Sequence, residues 1–151
     1  MPISLSSQGI AIIKRWEQLR LQAYKPRPNP EEPWTIGWGH TRGVRQGMTI
    51  TPEAAEEFLR EDLEPIVANL KTLPHLTQSA FDALASLCFN CGVGAVGGRS
   101  TIGRALRAGD WRGAWRGFSL WTATPGAELG QARRRSEEMA LFLSDDPRDA
   151  R

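Results

Sequence analysis

The chain has 151 residues, 40% of them hydrophobic and 24% charged, with a formal net charge of +2. That size and balance suit one soluble globular domain with a core of its own. They exclude a helical membrane span, since no apolar run approaches the ~20 residues one needs, and "MPISLSSQGIAIIKRWE" lacks the basic start and small-residue cleavage site of a signal peptide.

Ser6 or Ser7 can cap a first helix. Ile10, Ile13 and Trp16 recur along it at helical spacing, and Leu19 continues the stripe. Glu17 falls near the end of this helix, beside the stripe rather than in it. Over 23–51 the helical period disappears, and "WTIGW" predicts a strand among turns. Thr51 and Pro52 open a second helix, with Thr at the N-cap and Pro at the first position. Its inward stripe is Ala55, Phe58, Leu59, Leu63, Ile66 and Leu70, and Pro65 predicts a kink or break. Thr77 caps the next helix, with Phe81, Leu84, Leu87 and Cys88 inward, and the glycines of "NCGVGAVGG" stop it. Short helices are expected at about 101–107 and 110–120, a turn at "TATPG", a last helix at about 129–143, and a frayed tail, "SDDPRDAR". There is no internal repeat. The fold class is α+β, mostly helical, with a small β region.

Sixteen of the nineteen basic residues are Arg, and 99–135 holds eight Arg against Asp110 and Glu128. A basic C-terminal half fits an anionic polymer as partner, or simply a solvated helix face. Nothing resembles a base-reading motif, so no nucleic-acid partner is expected despite the "RRR" helix. Cys88 and Cys91 are spaced C-x-x-C, but with only the distant His40 and His75 they make a poor zinc set. Inside an apolar helix they are expected to be buried free thiols. No metal and no cofactor is expected.

Glu17 alone would be an ordinary surface acid. Trp16, Tyr24, Trp34 and Trp38 fall around the same β region, however, and aromatic faces stack on sugar rings. Such surroundings also favour the protonated form of a carboxyl group, which a proton donor to a glycosidic oxygen requires. At this point the order of motifs becomes informative. "WEQLRLQAY", "WTIGWGHT", "LTQSAFDALASLCFNCGVGA", "STIGRALRAGDWRGA" and "RRRSEEMALFL" resemble, in sequence, the phage-type lysozymes, the endolysins of glycoside hydrolase family 24. The resemblance covers nearly the whole chain.

It implies a muramidase that cuts between N-acetylmuramic acid and N-acetylglucosamine in peptidoglycan, with glycan strands as the partner. It implies a two-lobed lysozyme-like domain over 1–151, with a β-containing lobe at about 17–51 and a helical lobe at about 66–143. A long helix beginning near Pro52 would join them. Residue by residue, the family's acid falls on Glu17 and its water-placing threonine on Thr35. Substrate-binding positions fall on Trp38, Gly39, His40 and Phe89, within or beyond the Gly37–Gly39 turn. His40 can instead lock that turn by pairing with a carboxylate, and Glu138, four residues after Arg134, can brace the last helix. With no export signal, the protein is expected to wait as a monomer in the host cytoplasm until a separate membrane protein releases it to the cell wall.

Two departures from the family stand out. Gln18 replaces the usual glycine after the acid. The family's second carboxylate, an Asp, falls on Pro26, and the loop between Tyr24 and Thr35 is longer than usual. Glu32 first, and Glu31 second, are candidates to replace it from the far arm of that loop. Three mechanisms stay open. Glu17 and one loop glutamate can act as an inverting pair, which calls for carboxyl groups about 6.5–9.5 Å apart. Glu17 and Thr35 can hydrolyse without a strong base. As a lytic transglycosylase, Glu17 alone can serve while the muramic acid 6-hydroxyl attacks. A catalytically weak peptidoglycan-binding protein is the remaining reading.

Overall fold

Side-chain acceptors set where most of the helices start. Ser6 Oγ accepts from Gly9 N at 3.3 Å and opens α1, Ser7–Glu17. Thr51 Oγ1 accepts from Ala54 N at 3.1 Å and opens α2, Pro52–Leu70. Thr77 does the same for α3, Gln78–Cys91, Ser100 for α4, Thr101–Arg107, and Asp110 for α5, Trp111–Gly117. Each bond satisfies one of the amide donors that a helix start leaves unpaired. A sixth helix, α6, runs Glu128–Leu143 without a side-chain cap. Short 3-10 segments follow α3 at Val93–Val96 and α5 at Phe118–Leu120. The computed structural model describes residues 3–123 and 126–146. The expected turn at 122–126 and the end of the polar tail therefore fall partly outside the described residues. The fold is mostly helical with a small sheet.

The chain divides into two compact units, Ile13–Pro65 and Met1–Ile12 with Ile66–Arg151. One division point falls within α1, after Ile12, and the other within α2, after Pro65. The helix is not broken there: it continues without interruption to Leu70.

In the 13–65 unit, β1 (Arg20–Tyr24) pairs antiparallel with β2 (Thr35–Gly37). Arg20 faces Gly37 and Tyr24 faces Thr35, so β1 carries two more residues than β2 between the same pairs. On the other edge of β1, Ala23 N donates to Met48 O and Ile50 N to Leu21 O, each at 2.9 Å. β1 begins before the expected end of helical structure. Leu19, expected to extend the first helical stripe, lies beyond α1 and is 39% exposed. Ile13, Ile36, Ala55, Leu59 and Leu63 form the apolar interior of this unit.

In the other unit, α3 is buried on every side: all ten residues from Ser79 to Cys88 are buried. The expected stripe is there, but so are Ala83, Ala85, Asp82 and Ser86, which marks a central helix rather than an amphipathic one. Its polar groups are partnered. Asp82 accepts from Ser6 N, Ser6 Oγ and Gln78 Nε2. Ser86 Oγ donates to Glu138 Oε1 at 2.7 Å, across to α6. Glu138 is fully buried between Arg134 and Arg135. Arg135 Nη2 donates to Oε1 at 2.9 Å, and its Nε stands 2.7 Å from Oε2 as an ionic contact without hydrogen-bond alignment. Burial pushes the Glu138 carboxyl above its usual range, while Arg135, Ser86 and Arg134 pull it back. The arrangement does more than brace one helix, since Arg135 also donates to Asn90 Oδ1, to Cys91 Sγ and to Trp121 O.

The cysteines are free. Burial first, then the neighbouring Cys91 and Glu138, pushes the Cys88 thiol up to about 12. Cys91 is only half-buried and accepts from Arg135 at 3.0 Å. The start of the polar tail is not frayed: Asp145 Oδ2 accepts from Ser79 N at 3.1 Å and Ser79 Oγ at 2.7 Å, adding a second cap to α3.

Candidate active site

Glu17 is the last residue of α1 and is half-buried. The helix stops behind it because Gln18 takes a left-handed conformation, φ 57°, while its N–H still bonds Lys14 O at 3.0 Å. This is the backbone that glycine adopts at little cost and other residues adopt with strain. The chain then reverses into β1, which brings Tyr24 back toward the acid. Burial holds the Tyr24 phenol above its usual range; Arg20 lowers it and the charge of Glu17 raises it further. Tyr24 is paired across the ladder with Thr35. Glu17, Tyr24 and Thr35 therefore share one neighbourhood within the 13–65 unit.

Thr35 is 4% exposed, and its Oγ1 donates to Pro33 O at 3.2 Å. Between Tyr24 and Thr35 runs the proline-rich loop. It walls a shallow concavity of about 410 Å³ lined by Lys25, Pro26, Arg27, Pro28, Asn29 and Pro30. Glu31 is exposed. Glu32 is half-buried and faces Arg27, with Nε to Oε1 at 3.2 Å.

Trp38 is 9% exposed, and Lys14 Nζ lies 4.4 Å from its ring centroid. The same ammonium meets Glu56 Oε1 at 2.5 Å, which ties α1 to α2 over the indole. One face of Trp38 is thus covered by a cation rather than open to a sugar. Gly39 has φ 82°, a left-handed turn position. His40 and Ile36 exchange two backbone hydrogen bonds at 2.9 Å, closing the turn between them. The His40 ring is buried, stacked on Phe58 at 4.2 Å, with Nδ1 2.8 Å from Asp62 Oδ2. Arg42 adds a longer contact to Asp62, at 3.7 Å. Sequence reasoning named neither Asp62 nor Arg27 as part of this region. Asp62 could have been found from its place one helical turn after Phe58, which sets both side chains on one face of α2. Phe89 sits in the helical unit, half-buried near the end of α3. Among the described residues, no three His, Cys, Asp or Glu side chains gather as a metal site.

The similarities of the whole chain point the same way. An endolysin of Acyrthosiphon pisum secondary endosymbiont phage 1 is 42% identical over 148 residues, covering 93% of this chain and 98% of the relative. The endolysin of Salmonella phage P22 is 41% identical over 151 residues, covering 94% and 99%. Among solved structures, the muramidase domain of SpmX from Asticaccaulis excentricus superposes with a TM-score of 0.82 at 38% identity, over 94% of this chain and 99% of that one. Residues 14–138, which include every candidate position above, match the phage lysozyme family, and the chain belongs to it.

Proposed function

We propose that the protein is an endolysin-type muramidase that hydrolyses the N-acetylmuramic acid to N-acetylglucosamine bond of bacterial peptidoglycan, with Glu17 as proton donor. The reading rests on Glu17 lying within electrostatic reach of Tyr24, which pairs with Thr35 across the ladder, in a phage lysozyme chain. Glu17 delivers its proton to the glycosidic oxygen as the bond to the anomeric carbon breaks, so the leaving sugar departs as a neutral alcohol. Thr35 commits its one hydroxyl proton to Pro33 O, which leaves its oxygen lone pairs to accept from a water. A hydroxyl used in this way orients the water and takes no proton from it. The proton goes to Glu32 as the water attacks the face opposite the leaving group, and the new reducing end is inverted. Glu32 is preferred to Glu31 because it is the more sheltered and is held by Arg27.

Gly39 and Phe89 remain substrate-side positions in this proposal, while Trp38 and His40 serve by fixing the turn. Among the described residues no helix is long and apolar enough to cross a membrane. The protein would wait as a monomer in the host cytoplasm for a separate membrane protein to open the way to the wall.

The test is muropeptide mass spectrometry on purified peptidoglycan. Reducing ends are expected, and anhydro-muramic ends would replace hydrolysis by transglycosylation. Glu17→Gln should cut release by ~10²–10⁴-fold, the usual worth of a general acid, with the fold intact. More than a few per cent of wild-type turnover in the folded variant would remove Glu17 from the role.

A further inference from the structure

The loop that replaces the family's aspartate is organised well beyond what a surface insertion needs. Lys25-Pro26-Arg27-Pro28-Asn29-Pro30 places proline at every second position. Each proline restricts φ, so the chain has little freedom to lose before any contact forms. Asn29 then closes the turn on itself. Its N–H donates to Arg27 O at 2.8 Å, its Oδ1 accepts from Glu31 N at 3.0 Å, and its O accepts from Glu32 N at 3.0 Å. Lys25 Nζ donates to Pro30 O at 2.9 Å while lying 5.5 Å from the Trp34 ring centroid, which ties the start of the loop to its far arm.

These bonds pin the backbone amide of Glu32 but not its side-chain torsions. The contact that bears on the side chain is Arg27 Nε to Oε1, at 3.2 Å. The exposures are unequal: Arg27 is 57% exposed and Glu32 only 19%. An ion pair this open adds little to folding. The carboxylate is the sheltered member and the guanidinium is the one facing water, as suits a charge placed to hold a carboxylate rather than to be buried with it. Arg27 meets one carboxylate oxygen, Oε1, as an ionic contact.

We infer that Arg27 is a positioning residue, which holds the Glu32 carboxylate in the orientation that accepts a proton from the attacking water. The inference rests on the reading of Glu32 as the base. Small displacements of a reacting group lower turnover steeply, so the effect belongs in kcat rather than in substrate affinity.

The experiment compares wild type, Arg27→Ala, Arg27→Lys, Glu32→Gln and the Arg27→Ala, Glu32→Gln double variant in steady-state release of reducing ends from purified peptidoglycan. Arg27→Ala should lower kcat ~10-fold or more with KM little changed. Arg27→Lys, whose ammonium keeps the positive charge at similar reach, should recover most of that loss. In the Glu32→Gln background, Arg27→Ala should have no further effect. The melting midpoint of Arg27→Ala should stay within about 2 °C of wild type. Near wild-type kcat in Arg27→Ala, a rise in KM alone, no recovery in Arg27→Lys, multiplied losses in the double variant or a larger thermal shift would each overturn the inference. If Glu32→Gln is slow and Arg27→Ala is not, only the positioning role fails. If Glu32→Gln is itself near wild type, the base assignment fails and the positioning role with it.

Discussion

The molecule sets arginine against glutamate in two different surroundings. In the helical unit, Arg134 and Arg135 meet Glu138 with side chains 5%, 1% and 0% exposed. In the 13–65 unit, Arg27 meets Glu32 with 57% and 19% exposed. The buried group is satisfied from several sides, through Ser86, Asn90, Cys91 and the Trp121 carbonyl, because each charge removed from water must be compensated in place. The exposed pair is one contact on a self-closed loop. Water would compensate either partner if the other left. The first arrangement is committed to the fold, and the second is free to serve chemistry.

Arg135→Ala should give the largest change in stability. Glu138 would keep Arg134 and Ser86, in a site where burial already pushes its carboxyl up. A loss of about 3 kcal/mol is expected, read as a fall of roughly 6–12 °C in the calorimetric midpoint. Arg27→Ala lies at the other extreme of the comparison. Equal midpoint shifts for the two variants would break the distinction between the committed pair and the available one.

The His40–Asp62 pair sits between these limits, with side chains 4% and 22% exposed. Asp62→Ala leaves the ring nitrogen without its carboxylate and should cost about 1–3 kcal/mol in urea unfolding. Asp62→Asn keeps an oxygen at the same reach and should cost less. Identical losses for the two variants would show that the charge, and not the hydrogen bond, carries the contact.

A smaller effect, of opposite sign, concerns the helix end beside the acid. Gln18→Gly should raise stability by about 1 kcal/mol, because glycine takes the left-handed conformation without the penalty that a β-carbon brings. A lower unfolding midpoint for this variant would mean that the Gln18 side chain makes up more than its backbone strain.

Much of the helical plan was legible in the chain because its signals are local. The expected caps Thr51 and Thr77 each close onto the helix that follows within three residues, as Ser100 and Asp110 also do, and the α2 stripe repeats at helical spacing. The run of motifs placed Glu17 and Thr35 as candidates, and the structure sets both in the neighbourhood of Tyr24. What tertiary structure alone decided involves partners far apart in sequence. β1 alternates over only five residues, Leu21 and Ala23 against Arg20 and Gln22, and is held in place because two other segments, 35–37 and 48–50, supply its hydrogen bonds. The polar residues within α3 look out of place until Ser6, 76 residues from Asp82, and Glu138, 52 residues from Ser86, are seen against them. The carboxylate beside His40 comes from Asp62 on α2, 22 residues away. Local spacing carries caps and periodicity, since those interactions close within a turn. The pairing of a buried charge depends on which distant segments the apolar core brings into contact, and no short window of the sequence contains both partners.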